Sequence, residues 1–253
     1  MYGIVCGSIL HDQADRIMKG SRMMKTLAII PARCGSKGLK DKNIKMLIDK
    51  PLIAYSIISA QESGVFDEIM VSTDSQEYAE IAMKWGAEVP FIRNSKTATD
   101  EASSKDVILE VLDNYADQGK IFDSFCLLQP TSPLRTGEDI IRAYDLFCRK
   151  ATFAVVSVCE TEHSPLWCGH LPESGEFIDF VDKNSLKQRQ AGTPFYRING
   201  AIYFVNTEKY RNDSYFYQRG SYAYIMPQSR SIDIDTELDF KMAELLIRVN
   251  NDI

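Results

Sequence analysis

No uninterrupted apolar run in the 253 residues approaches the ~18 needed to cross a bilayer, so no segment reads as a membrane span. Histidine is scarce, with three in all, and the six cysteines (Cys6, Cys34, Cys126, Cys148, Cys159, Cys168) include no C-x-x-C pair. That poverty of ligand clusters argues against a zinc site. It also argues against a Ser-His-Asp hydrolase, because His11 falls in an atypical leader and His163 and His170 in an irregular stretch. There is no excess of positive charge: 29 basic against 35 acidic residues leave −6. A nucleic-acid binder, whose affinity rests on neutralised phosphates, is therefore disfavoured, whereas a small anion needs only a local basic pocket. Neither G-x-x-x-x-G-K-[ST] nor G-x-G-x-x-G after a strand occurs, which excludes the two commonest nucleotide loops. No repeat or low-complexity tract is present.

What is there is an ordinary globular composition, 45% hydrophobic and 25% charged, in a length suited to one sizeable domain. Cysteines in apolar surroundings, such as Cys126 between Phe125 and Leu127, read as reduced buried thiols and point to the reducing cytoplasm. Residues 2–10 are apolar but lack a preceding basic residue and a small-residue cleavage site, so they make a poor signal peptide. The fold is expected to begin at Lys25, with residues 1–24 a poorly ordered leader or extension.

From there short apolar runs alternate with helical patterns. Strands are expected over 26–30, 68–72, 124–128, 153–158, 201–205 and 222–226, with a further apolar run over 89–92. Helices are expected over 51–63, 76–85, 104–115, 138–148 and 236–248. Continuous apolar strands alternating with helices indicate a mainly parallel sheet covered on both faces, an α/β fold. The pattern breaks between 160 and 197, where Pro165, Pro172, Pro194, Gly169, Gly175 and Gly192 mark a long excursion or an interaction arm.

Three segments carry chemistry. The first, IPARCGSKGLKDKN over 30–43, leaves a buried strand at the sheet's carboxyl edge, where open α/β folds bind ligands. Arg33, Lys37, Lys40, Lys42 and Lys45 against Asp41 leave +4 in an acidic chain, on a loop loosened by Gly35 and Gly38. Cations on such a loop suit a triphosphate, although a solvated basic loop has the same composition. The second, SIDIDTELD over 231–239, puts Asp233 and Asp235 on one face of an extended backbone and Ile232 and Ile234 on the other. Paired hard oxygen donors suit Mg²⁺ shared with phosphates; the start of a helix at Thr236 and Glu237 is the plainer reading, and both can hold together. The third, LLQPTSPLR over 127–135, offers Gln129, Thr131 and Ser132 to sugar hydroxyls, although Thr-Ser-Pro also simply makes a turn. On charge alone, Arg189 or Arg197 is the anchor for an acidic sugar.

Together with Val71-Ser-Thr-Asp74 and Asn199-Gly-Ala-Ile-Tyr203, these segments resemble the acylneuraminate cytidylyltransferases, the CMP-sialic acid synthetases, from about Lys25 to the last helix. Enzymes for the eight-carbon sugar Kdo share that fold but lack the Ser36-Lys37-Gly38…Lys42-Asn43 form of the loop. The resemblance implies a Rossmann-like three-layer nucleotide-sugar transferase fold with a small dimerisation arm, placed here at 160–198, and a homodimer. It implies transfer of CMP from CTP to a nine-carbon acidic sugar, with Mg²⁺. By position, Arg33, Gly35, Ser36, Lys37, Lys42 and Asn43 look like the CTP loop, with Arg93 and Ser104 as further nucleotide contacts. Gln129, Tyr203, Phe216 and Tyr217 look like the sugar pocket. Arg189 from the partner's arm looks like the carboxylate clamp, and Asp233 and Asp235 like the metal ligands. The catalytic set implied is Arg33, Lys37, Asp233 and Asp235.

Two positions depart from the family pattern. Cys34 stands where Gly or Gln is more usual, at a site expected to offer mainly backbone. Trp167 stands where some sialic-acid enzymes have Lys, which leaves N-acetylneuraminic, legionaminic and pseudaminic acids open as substrates. A transferase for another acidic sugar or base, and a non-catalytic nucleotide-sugar binder, are the rival readings.

Overall fold

The first strand explains the architecture. β1 (Thr26–Pro31) is apolar at every position from Leu27 to Ile30, and all four are fully buried. Leu27 and Ile29 point to one face of the sheet and Ala28 and Ile30 to the other, each into a separate apolar cluster. A strand with two buried faces needs helices on both sides. The computed structural model, which describes residues 24–35, 38–94, 97–99, 102–177, 180–181 and 194–251, supplies them. The leader expected over 1–24 therefore lies almost wholly outside the described residues.

β1 pairs in parallel with β4 (Glu68–Ser72) and with β5 (Ser124–Leu127). Between β1 and β4 come a small hairpin, β2 (Met46–Leu47) with β3 (Lys50–Pro51), and helix α1 (Leu52–Ser63). Three further strands complete the sheet: β6 (Ala154–Glu160), β7 (Tyr196–Asn206) and β8 (Ser221–Ile225), giving the order β4-β1-β5-β7-β6-β8. Pairing is parallel except at β7, which runs antiparallel to both β5 and β6. One face carries α1 and α4 (Gly137–Lys150), through Ile53, Ile57, Ile140 and Phe147. The other carries α3 (Ser104–Asp117), through Ile108, Val111, Leu112 and Tyr115. Helix α2 (Gln76–Lys84) follows β4, and the short α5 (Thr207–Asn212) follows β7. A third, smaller cluster of Leu47, Leu52, Ile234, Phe240 and Ala243 seats α6 (Glu237–Asn251) against the hairpin.

Local capping fixes where these helices start. Ser103 with Asp106, and Thr136 with Asp139, form reciprocal capping boxes that satisfy the first free N–H groups of α3 and α4.

The apolar run at 89–92 stays outside the sheet, where Glu88 alone of this stretch bridges β4, at Met70. One sequence expectation needs correction. The last strand before α5 begins at Tyr196, five residues before 201, because residues 196–198 pair with 158–160 beyond a register shift in β6. The stretch free of sheet pairing is accordingly shorter than 160–198. Its described part contains one 3-10 turn, Pro165–Trp167.

Candidate functional site

Three chain crossings meet at the carboxyl edge of β1, β4 and β5. The loop after β1 begins at Ala32, which is tied by its N–H to Ser72 O of β4. Asp74, just beyond β4, accepts from the Cys34 N–H at 2.8 Å and from Cys34 Sγ at 3.1 Å. Cys34 thus contributes its thiol as well as its backbone. The hydrogen bond to Asp74 and burial push that thiol's pKa up, so it is held protonated rather than as a reactive thiolate. Asn43, buried, donates to Arg33 O at 3.0 Å and closes the far end of the loop. Gly38 passes directly over the carboxylate segment: a Cβ there would meet Asp235 O at 2.7 Å. Ser36 and Lys37 lie outside the described residues.

The carboxylate segment approaches from the other side. Ile234 is fully buried in the third cluster, and its N–H donates to Thr131 O at 2.9 Å. Alternation along the extended backbone then turns Asp233 and Asp235 outward together. Lys42 joins the two crossings, its Nζ donating to Ile234 O at 2.5 Å and to Asp235 Oδ1 at 3.0 Å. Asp235 lines the cleft, whereas Asp233 is exposed beside it, its Oδ2 3.7 Å from where a Gly200 Cβ would stand. Desolvation there, with Asp235 adding repulsion, raises its pKa against the opposing pull of Thr131, Lys42 and Arg197. The helical reading of 236–239 also holds, since Asp239 Oδ2 accepts from the N–H groups of Asp235 and Thr236 and the Thr236 hydroxyl. Glu237 is taken by Lys45 at 2.6 Å.

Between these crossings lies a cleft of about 530 Å³, the size of a small-molecule site. Arg33, Lys42, Asn43, Arg93, Ser104, Gln129 and Asp235 all line it. Arg93 is buried, anchored by Nε to Ser72 Oγ at 3.1 Å and by Nη2 to Ser72 O at 2.6 Å. Burial lowers its pKa, with Asp74 and Glu110 opposing. Ser104 is the first residue of α3, so a helix N-terminus with its positive dipole end opens on the same space.

The aromatic residues sit beside the cleft. Tyr203 is buried, with its ring 5.2 Å from Phe216, which stacks on Tyr210 at 5.2 Å and meets Tyr217 edge-on at 6.1 Å. Burial raises the Tyr203 pKa, with hydrogen-bonded Tyr217 and then Asp233 contributing. Arg197 pairs with Glu162 at 2.8 Å and donates to Ser231 O at 3.2 Å. Arg189 lies outside the described residues.

Several residues to which the sequence gave no role hold this site in register. Asn199, buried, donates Nδ2 to Ser231 Oγ at 2.9 Å, while its Oδ1 accepts from Ser157 Oγ at 2.6 Å and its carbonyl from Ser132 Oγ at 3.0 Å. Asp139 is 1% exposed and accepts two bonds from Arg230 and one from Tyr224, bracing the chain just before Asp233. Burial alone would raise the Asp139 pKa; the bonds from Arg230 and Thr136 outweigh it and hold the carboxyl below its ordinary value. A depressed acid stabilises the fold above its unfolded pKa and loses that contribution as pH falls through the folded one. Asp139→Asn should therefore cost about 2–4 kcal/mol at neutral pH. In denaturant titrations the gap to wild type should narrow below the ordinary aspartate range. A gap independent of pH would contradict this.

A basic loop joined through Lys42 to a carboxylate segment, beside a cleft at the carboxyl edge of an α/β sheet, is a layout that suits a nucleotidyltransferase. The chain belongs to the cytidylyltransferase family, whose profile matches residues 27–156. It is 40% identical over 219 residues to the N-acylneuraminate cytidylyltransferase of Escherichia coli, covering 87% of this chain and 51% of that protein. It is 36% identical over 231 residues to the CMP-N,N'-diacetyllegionaminic acid synthase of Legionella pneumophila, covering 90% and 99%. A pseudaminic acid cytidylyltransferase of Campylobacter jejuni is 34% identical over 229 residues, with the same two coverages. The chain thus spans about half of the E. coli relative and nearly all of the other two. Among solved structures, a CMP:2-keto-3-deoxy-manno-octonic acid synthetase complexed with CTP shares the fold at a TM-score of 0.67 and 16% identity, covering 89% of this chain and 99% of that one.

Proposed function

We propose that this chain transfers CMP from CTP to the anomeric hydroxyl of a nine-carbon acidic sugar, releasing pyrophosphate, in a Mg²⁺-dependent reaction. The observation that carries the reading is the junction at Lys42, which ties the cationic loop to the carboxylate segment at Ile234 O and Asp235, beside one cleft. In the reaction the anomeric oxygen bonds to the α-phosphorus, the bond from that phosphorus to the bridging oxygen breaks in line, and the hydroxyl proton passes to solvent. Such chemistry asks the protein for position and charge rather than covalent catalysis. Arg33, Lys42 and the loop residues Gly35, Ser36, Lys37 and Asn43 bind the triphosphate, with Arg33 and Lys37 on the leaving pyrophosphate. Arg93 and Ser104 contact the nucleoside end.

Asp233 and Asp235 are the ligands for Mg²⁺. Among the described residues no group of three or more His, Cys, Asp or Glu could hold a metal alone. A pair of carboxylates fits a cation that completes its shell with phosphate oxygens and water. Desolvation, with Asp235 adding repulsion, raises the Asp233 pKa, and a cation bound there would favour its ionised form. Held by Asp233 and Asp235, Mg²⁺ would supply charge neutralisation at the phosphates and would acidify the attacking hydroxyl.

Gln129, Tyr203, Phe216 and Tyr217 form the sugar face. Arg189 from a second copy reaches its carboxylate, with the excursion from 160 toward 198 as the arm of a cytoplasmic homodimer. Pyrophosphate release with CTP and Mg²⁺ should occur with one of N-acetylneuraminic, legionaminic or pseudaminic acid and not with Kdo, nor when GTP replaces CTP. Silence with every acid from a folded, CTP-binding protein would overturn the proposal.

A further inference from the structure

Arg135 is 3% exposed, and every N–H of its guanidinium has an acceptor. Nε donates to Ser59 Oγ at 3.4 Å. Nη1 donates to Ala201 O at 2.7 Å and Gln129 O at 3.2 Å, and Nη2 to Gln129 O at 3.2 Å and to Ser56 Oγ. The nearby carboxylate of Asp139 is already taken by Arg230, so the charge is spent on carbonyls rather than on an ion pair. A buried cation is costly unless its hydrogen bonds are complete, and a planar fork is the shape that can chelate one carbonyl with two nitrogens.

What the fork holds is informative. Gln129 follows β5 and lines the cleft, while Ala201 lies in β7 next to Gly200. The side-chain oxygen of Gln129 lies 2.5 Å from where a Gly200 Cβ would stand, with Asp233 Oδ2 3.7 Å from the same point. The guanidinium therefore clamps the Gln129 backbone to β7 from beneath, at the place where the Gln129 amide is presented beside Asp233. None of its partners belongs to the nucleotide loop.

We infer that Arg135 is a positioning residue for the acidic sugar, acting through Gln129 and not through the nucleotide. This rests on the reading that Gln129 faces the sugar. Lysine keeps the charge but presents it as one point, so it cannot chelate the Gln129 carbonyl while also reaching Ala201 and Ser56.

The test is a double-mutant cycle on the full chain with Arg135→Lys and Gln129→Ala, reading sugar KM from pyrophosphate release and CTP affinity from calorimetry. Each single variant should raise sugar KM about ten-fold and leave CTP affinity within about two-fold, and the double variant should match Gln129→Ala alone. Multiplied effects in the double variant, a parallel loss of CTP affinity, or a wild-type sugar KM in Arg135→Lys would overturn the inference. A wild-type sugar KM in Gln129→Ala would instead overturn the reading of Gln129, and this inference with it. If Arg135→Lys does not fold, Ser56→Ala removes one partner of the fork. It should raise sugar KM about three-fold with CTP affinity unchanged, and no change there would count against the clamp.

Discussion

Alanine at Asp233 or at Asp235 is expected to lower the rate of CMP transfer at least about a thousand-fold, the loss that corresponds to roughly 4 kcal/mol of charge stabilisation. The fold should hardly notice the change at Asp235. That side chain is 75% exposed, and its ion pair with Lys42 is of the kind worth about 0–1 kcal/mol. The two magnitudes separate a catalytic role from a structural one. A variant with near-native thermal stability, CTP affinity in the absence of metal within a few-fold of wild type, and no turnover is the expected result. Kinetics across a Mg²⁺ series should not restore it. Normal activity in Asp235→Ala at any Mg²⁺ concentration would remove the carboxylate pair from the mechanism.

The second large effect is expected at Gly200. Its φ of +73° places it in the left-handed region, where a non-glycine residue costs about 1–3 kcal/mol. The same residue has no room for a Cβ, which would press against the Gln129 side chain at 2.5 Å and the Ser132 hydroxyl at 3.2 Å. Relief requires the Gln129 side chain to leave the position in which it lines the cleft. Gly200→Ala should therefore lose about 1–3 kcal/mol in denaturant unfolding and, separately, lower kcat/KM for the sugar about ten-fold, as removal of the Gln129 side chain should, with CTP affinity largely kept. Equal losses toward both substrates would point to general unfolding of the sheet instead.

Much of this was legible before the structure. β1 announced itself because four apolar residues in a row can only be buried on both faces. The basic loop stood out against an acidic chain, and the Asp-Ile-Asp alternation placed both carboxylates outward. Lys42, bonded to Ile234 O and Asp235, joins the loop to the carboxylate segment, which neither segment could reveal by itself. What escaped was held by long-range geometry. Gly200 stood just before the strand expected over 201–205 and proves to lie inside β7, where a glycine marks close backbone approach, yet nothing local says to what. Arg135 ended a recognised motif without drawing a role of its own, since its burial depends on α1 and β7, far away in the sequence. Asp139 and Arg230 are separated by 91 positions and find each other only once α4 and the segment after β8 are in place. The early start of β7 was hidden for a similar reason: the pairing of Tyr196, Arg197 and Ile198 with Glu160, Cys159 and Val158 lies beyond a register shift in β6.

The most direct measurement follows the α-phosphate of CTP. With CTP labelled there, Mg²⁺ and a nine-carbon acidic sugar, the label should pass into a sugar nucleotide in equal amount to the pyrophosphate released, and Asp235→Ala should transfer none. Label recovered as free CMP, or transferred equally well by Asp235→Ala, would contradict the assignment of this cleft as a CMP-transferring site.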